Sequence, residues 1–382
     1  MNIVMFGAGS TGRGHLAVLL HEAGFRGLTL IDKDPTVADC LKKAGKYTLQ
    51  YVGRSHRLVE VDSFIALHTG DTAEIAEALA RADVVITAVL AENLPDVALA
   101  LREGLEKRCR EGIRTPLNVI ACENLDHASS LVKKHVYVYA GAELAGYLDD
   151  CVGFPDAMIS RVVPLHKGDP LRLMAEDYNE WVVDRAGIKG TIPAIPCIEF
   201  ADNLDARLEK KLWIHNGGHA SVAYAGFLRG CTYIHEAVQN GEIAAFAMKV
   251  MDEIGDAIVH KHGFDVSATR EYEADLGERG LIVEMQDLIS RVIRDPLRKL
   301  GKLDRLLAPA LYCAANGLPF GMIARSVANV VRYDDASDAQ AVRMQGEIRE
   351  KGLAWFLENT LGLGSAPAER AVRDAILAES GQ

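Results

Sequence analysis

Several things are scarce in this chain of 382 residues. There are three tryptophans, and aromatic residues make up 6% of the whole. The seven cysteines, at 40, 109, 122, 151, 197, 231 and 313, are odd in number, scattered, and never in a C-x-x-C pair. That pattern excludes a disulfide framework and a cysteine zinc site, and points to reduced thiols in a cytoplasmic protein. No run approaches the ~18 apolar residues of a transmembrane helix. The amino-terminal MNIVMFGAGS has no basic stretch ahead of its apolar run, so no signal peptide is expected. Positive charge is in deficit as well: 42 Lys and Arg stand against 53 Asp and Glu, a net of −11. An acidic chain with no basic stripe is a poor partner for nucleic acid or an anionic membrane. An anionic ligand would need a local cluster of cations.

What is present is the balance of a folded protein, 49% hydrophobic and 25% charged, in a length that suits two domains. The first half alternates strand and helix. Asn2–Phe6, Leu28–Asp32, Asp83–Val89 and Pro116–Cys122 are short apolar runs without polar alternation, and a helical pattern follows the first, third and fourth. Such strands are buried on both faces, as in a parallel sheet covered by helices. This predicts a doubly wound α/β domain over 1–190. A β insert is expected at about 45–67, a hairpin of Tyr47–Val52 and His56–Leu67 closed at Gly53-Arg54-Ser55. Ala157–Val163 should close the domain, with Leu171–Glu176 and Trp181–Asp184 as added antiparallel strands. Two Gly and two Pro in Gly187–Pro196 mark a boundary. Beyond it, segments such as 240–261 and 337–361 carry a 3.6-residue period, which predicts an all-helical domain over 191–382.

Residues 7–12 read GAGSTG, with Gly7, Gly9 and Gly12 after a strand and at the start of a helix. In this context the glycines allow a tight turn, a close approach to a pyrophosphate, and helix-on-strand packing; the helix start offers free N–H groups to phosphate. Asp32 ends the second strand, where a carboxylate accepts from an adenosine ribose and repels a 2′-phosphate, which favours NAD. Ser10 and Thr11 in the turn and Val89 at the end of the Asp83–Val89 run complete the cofactor-side candidates. The bland alternative is a glycine turn that binds nothing and an aspartate that caps a helix.

Residues 210–220 read KKLWIHNGGHA. At ~100° per residue, Lys211, Asn216 and His219 fall at about 0°, 140° and 80° on a helix, one broad face, while Lys210 points elsewhere. A desolvated lysine can take a hydroxyl proton, an amide can hold the resulting oxygen, and a histidine can orient either partner. That is a set for alcohol oxidation without a metal. The alternative is an exposed lysine on an amphipathic helix with a capping Asn. Gly217-Gly218 would interrupt the helix or admit a ligand to the backbone. His215 and His219 lack a third ligand of suitable spacing, so no metal site is expected. Asn124, just past the Pro116–Cys122 run, stands at the edge where such sheets bind ligands. It reads equally as an oxyanion donor, a nicotinamide contact or a helix cap. Y-x-x-x-K, H-E-x-x-H and Gly-His-Glu are all absent.

GAGSTGRG, Asp32, ACEN at 121–124, FPDAMISRVVP at 154–164, IKGTIPAIP at 188–196 and KLWIHNGGH at 211–219 resemble the polyol-specific long-chain dehydrogenases, the mannitol dehydrogenase family, along nearly the whole chain. The resemblance implies a Rossmann-type domain followed by a helical one. It implies NAD-dependent, metal-independent interconversion of a sugar alcohol and a ketose, as a monomer or homodimer. Lys211 would be the general acid/base, Asn124 and Asn216 the oxyanion donors, and His219 the orienting group. The chain departs from the family at Ser160, at Gly217, and at Arg279–Val283 in place of Arg-Phe-x-Asn-Pro. DPLRKL at 295–300 and DRLLAP at 304–309 still match. A phosphorylated substrate, of the mannitol 1-phosphate and fructose 6-phosphate type, needs a cationic pocket, for which Arg161, Lys167, Arg294, Arg298 and Lys299 are the candidates. The alternatives are an unphosphorylated polyol, a keto sugar acid, or a non-catalytic NAD-binding regulator.

Overall fold

The computed structural model describes residues 1–164, 168–192 and 195–381. Chain contacts divide it into two compact units, Met1–Arg207 and Leu208–Gln382. The boundary therefore falls later than the Gly/Pro-rich stretch suggested, because the strand Glu199–Ala201 still pairs within the first unit. Among the described residues no helix is long and apolar enough to cross a membrane.

The first unit is organised by a six-stranded sheet. Its strands are β1 (Ile3–Phe6), β2 (Leu28–Asp32), β5 (Phe64–His68), β6 (Val84–Thr87), β7 (Leu117–Ala121) and β8 (Val152–Gly153), in the order β5-β2-β1-β6-β7-β8. Every pairing in it is parallel. β1, β6 and β7 are buried at every position, as continuous apolar runs require. Alternate side chains then feed two separate cores. Ile3 and Met5 join the layer that holds Leu16, Leu20 and Tyr47. Val4 and Phe6 join the layer that holds Leu79, Leu101 and Val132. The helix Pro35–Ala44 shows how local signals set its ends. The Asp34 side chain accepts from Thr36 N at 2.8 Å, proline occupies the first turn, and Gly45 closes it at φ 65°.

Two three-stranded sheets flank this one. β3 (Lys46–Val52) pairs antiparallel with β4 (Leu58–Asp62) and parallel with β10 (Arg172–Glu176). β11 (Glu180–Asp184) pairs antiparallel with β9 (Ala157–Ser160) and parallel with β12 (Glu199–Ala201). Two expectations are corrected here. The second run of the hairpin is two strands, since Ser63 adopts φ 59° and turns the chain, and Phe64–His68 then joins the main sheet beside β2. Burial agrees: β4 buries only Val61, whereas consecutive Ala66 and Leu67 are both buried in β5. And Leu171–Glu176 runs parallel to β3, not antiparallel to Trp181–Asp184.

The second unit is helical, with one isolated bridge between Tyr233 and Leu288. Its longest helix, Gly241–His262, is capped by the Asn240 side chain and closed by Gly263 at φ 71°. One core unites Ile254 and Ile258 of that helix with Tyr224, Val327, Phe356 and Ile376.

At the end of the main sheet opposite the glycine turn, Arg108 is 1% exposed and donates to the carbonyls of Ala80, Ala82 and Thr115, each at 2.8 Å, and to the Tyr147 hydroxyl at 3.1 Å. Arg108→Met takes the donor away from the Ala80 and Ala82 carbonyls, both in buried residues. Urea denaturation should show a loss of about 3 kcal/mol or more; a loss below about 1 kcal/mol would show that water replaces the guanidinium.

Candidate active site

The glycine turn is shaped by close backbone approaches. Gly7 sits at φ 91°, its N–H donates to Ile31 O at 2.8 Å, and a Cβ there would lie 2.2 Å from the Ala88 carbonyl. A Cβ on Gly12 would lie 1.8 Å from the Gly7 carbonyl. A Cβ on Gly9 would meet nothing within 4 Å. Thus Gly7 makes the turn, Gly12 seats the helix, and Gly9 leaves open space above the backbone, where a pyrophosphate can approach. Ser10 and Thr11 follow, half-buried, and Gly12–Ala17 is a turn of π-helix continuing into Val18–Glu22.

Gly7, Gly9, Asp32, Lys33, Thr69, Ala88, Val89 and Asn93 line a crevice of about 450 Å³ along the carboxyl edge of the sheet. Asp32 Oδ1 accepts from Asp34 N at 2.9 Å, which fixes the carboxylate and leaves its second oxygen for a ribose hydroxyl. Lys33, the cation nearest in sequence, donates to Asn93 Oδ1 at 2.8 Å. These residues fit a dinucleotide whose ribose diol, with no phosphate on it, meets Asp32. Asn124 is exposed on the loop between β7 and the helix Ala128–Val138. Its neighbour Glu123 is buried. Glu123 Oε1 accepts from Thr87 Oγ1 at 2.7 Å and from Val89 N at 3.0 Å.

In the second unit, Lys211 opens a turn of π-helix, Lys211–Asn216, and His219 lies in the helix Gly217–Leu228 that continues it. Hydrogen bonds in a π turn run from i to i+5, so residues five apart come closer to alignment than in an α-helix. Lys211 and Asn216 are five apart. Lys210 is elsewhere, its ammonium 4.5 Å from the Tyr272 ring centre and 5.2 Å from that of Phe264. His219 Nε2 is 3.2 Å from Asp287 Oδ2. Burial alone would raise the Asp287 carboxyl, but His219 and Arg291 together hold it below its usual value. His215 is pushed well below the ordinary histidine range by burial and then by Arg279, His219, Lys211 and Arg305. Its Nδ1 has no hydrogen-bond partner among the described residues. Among those residues, no three His, Cys, Asp or Glu are grouped to hold a metal.

The glycine pair is corrected. Gly217 and Gly218 do not interrupt the helix and open no ligand path. A Cβ on Gly217 would lie 2.9 Å from Arg305 O, and one on Gly218 2.5 Å from Met251 Sδ. Both are glycines because neighbouring segments pack against them.

Comparison with known proteins finds two domains in the same order. Residues 1–197 match the mannitol dehydrogenase Rossmann domain and residues 203–356 the mannitol dehydrogenase C-terminal domain. The chain belongs to the mannitol dehydrogenase family. It is 35% identical over 376 residues to mannitol-1-phosphate 5-dehydrogenase of Brevibacillus brevis, covering 98% of this chain and 97% of that one. It is 32% identical over 362 residues to the enzyme of the same name from Lactiplantibacillus plantarum, 94% of each chain. Its fold is similar to Pseudomonas fluorescens mannitol 2-dehydrogenase, solved as a ternary complex with NAD and D-mannitol. The TM-score there is 0.73 at 20% identity, over 100% of this chain and 91% of that one.

In this member of the mannitol dehydrogenase family the expected substrate cations are not alike. Arg161 serves its own unit: it donates to the carbonyls of Tyr178 and Gly14 and lies over the Tyr51 ring at 5.1 Å. Lys167 lies outside the described residues. Lys299 is 3% exposed and its ammonium binds the Arg294 carbonyl. Arg298 remains exposed, 3.9 Å from Asp304. Sequence reasoning passed over Glu123, which stands beside Asn124, and over Asp287 and Arg305, which come near His219 and His215 only by folding.

Burial, with Arg298 and Arg305 nearby, pushes the Lys299 ammonium down to about 8 from 10.5. Between those values the unfolded chain binds more protons, so this group makes folding more favourable as pH rises. The stability of wild type minus that of Lys299→Met, from urea denaturation, should therefore grow between pH 8 and 10, by on the order of 2 kcal/mol. A flat difference would mean that the ammonium is not desolvated.

Proposed function

We propose that this protein is an NAD-dependent, metal-independent polyol dehydrogenase that interconverts a sugar alcohol phosphate and a ketose phosphate, with mannitol 1-phosphate and fructose 6-phosphate as the pair. The observation that carries the chemistry is the turn Lys211–Asn216 followed by His219, which Asp287 holds at 3.2 Å. Bound NAD⁺ supplies the hydride acceptor. Lys211 takes the hydroxyl proton of the alcohol as its carbon is oxidised, and returns it in the reverse direction. The Asn216 amide donates to the oxygen on which charge develops. His219, fixed by Asp287, orients the substrate.

The identity with two mannitol-1-phosphate 5-dehydrogenases supports the phosphorylated substrate. The engagement of Arg161 and the burial of Lys299 support the second reading, a free polyol.

Initial rates with NAD⁺ decide between them. Mannitol 1-phosphate should give the higher kcat/KM, and Arg298→Ala should raise KM for it with little change in kcat, as expected for uniform binding. A preference for mannitol would establish the second reading. Lys211→Met should lower kcat by ~10²–10⁴ while NADH binding persists, and a chelator should leave the wild-type rate unchanged. A near-normal rate for Lys211→Met would remove the lysine from the mechanism.

A further inference from the structure

Glu123 lies behind the carboxyl edge of the first unit's main sheet. It is 7% exposed, just past β7. A buried carboxyl is costly unless hydrogen bonds satisfy it. Its Oε1 receives two donors from the end of β6, the Thr87 hydroxyl and the Val89 amide. Its Oε2 is buried with no hydrogen-bond partner among the described residues.

The two donors tie Glu123 to the cofactor crevice. Ala88 and Val89 line that crevice, and the Ala88 carbonyl is the atom against which Gly7 packs. On the other side Glu123 is joined by one peptide bond to Asn124, exposed at the start of its loop. One carboxyl therefore links the wall of the crevice to the loop that carries the amide.

We propose that Glu123 is a positioning residue that fixes the Ala88–Val89 wall of the dinucleotide crevice against the Asn124 loop. The inference rests on the dinucleotide reading of the crevice. Burial raises the Glu123 carboxyl above its usual range, against the opposing effect of Thr87 and Val89. That direction fits a group that works as an acceptor without needing full charge, so a neutral amide of the same shape should replace it.

The experiment compares Glu123→Ala, Glu123→Gln and Thr87→Val. NADH affinity is read by fluorescence titration, KM for NAD⁺ and kcat by initial rates, and folding by thermal melts. Glu123→Ala should weaken NADH binding by about tenfold or more, raise KM for NAD⁺ in proportion and lower kcat, since it leaves the Thr87 hydroxyl and the Val89 amide unpaired. Glu123→Gln should stay within about threefold of wild type on all three, because its carbonyl can accept both donors. Thr87→Val, which removes one strut, should shift NADH binding in the same direction by a smaller factor, and it decides the matter if Glu123→Ala does not fold. Unchanged NADH binding in both Glu123→Ala and Thr87→Val would overturn the proposal. So would a Glu123→Gln protein with normal NADH binding and a collapsed kcat, since that carboxyl would be taking part in the chemistry. If the wild type itself binds no NADH, the dinucleotide reading falls and this inference with it.

Discussion

The first unit depends on backbone meeting backbone at the end of β1. Gly7 presses on the Ala88 carbonyl and Gly12 presses on the carbonyl of Gly7, at distances no side chain permits. Because these contacts are main chain to main chain, they set the helix start, the end of β6 and the turn between them as one piece. The crevice follows from that arrangement. Its floor is the turn, its far end is Asp32 at the tip of β2, and its wall is Ala88–Val89. A parallel sheet places all of these at one edge, since every strand ends on the same side.

The helical unit is organised around a different feature, the wide turn that runs from Lys211 to Asn216. Lys211 starts a π turn, a wider coil that costs hydrogen-bond geometry and recurs at functional sites. Around His215 stand Lys211, His219, Arg279 and Arg305; His219 Nε2 lies 3.2 Å from Asp287 Oδ2, and Arg305 is paired with Asp304 at 2.7 Å. The chain's overall acidity is therefore no guide to the local charge that His215 meets.

Much of this was legible in the sequence. β2 is bounded as the apolar run Leu28–Asp32 implied, because a strand buried on both faces reads directly as hydrophobic residues. The close backbone approaches at Gly7 and Gly12 were legible because each is a local backbone requirement. The split between β4 and β5 was not, since it turns on one residue, Ser63, taking a left-handed conformation that its type does not announce. The partners of Arg161 and Lys299 were not legible for a related reason. Sequence shows that a cation exists, not whether a carbonyl such as that of Gly14 or Arg294 already holds it. The glycine pair at 217 and 218 looked like a breach in a helix and is a packing surface, a distinction made only by distant Arg305 and Met251.

The central claim is that the crevice of the first unit is a dinucleotide site whose carboxylate, Asp32, meets an unphosphorylated ribose. Fluorescence titration of the wild-type protein with NADH and NADPH at low salt tests it without any assumption about substrate. Tighter binding of NADH, by at least about tenfold, is the expected result, since a 2′-phosphate would face a fixed carboxylate while Lys33 is held by Asn93. Equal binding of the two, or a preference for NADPH, would contradict it.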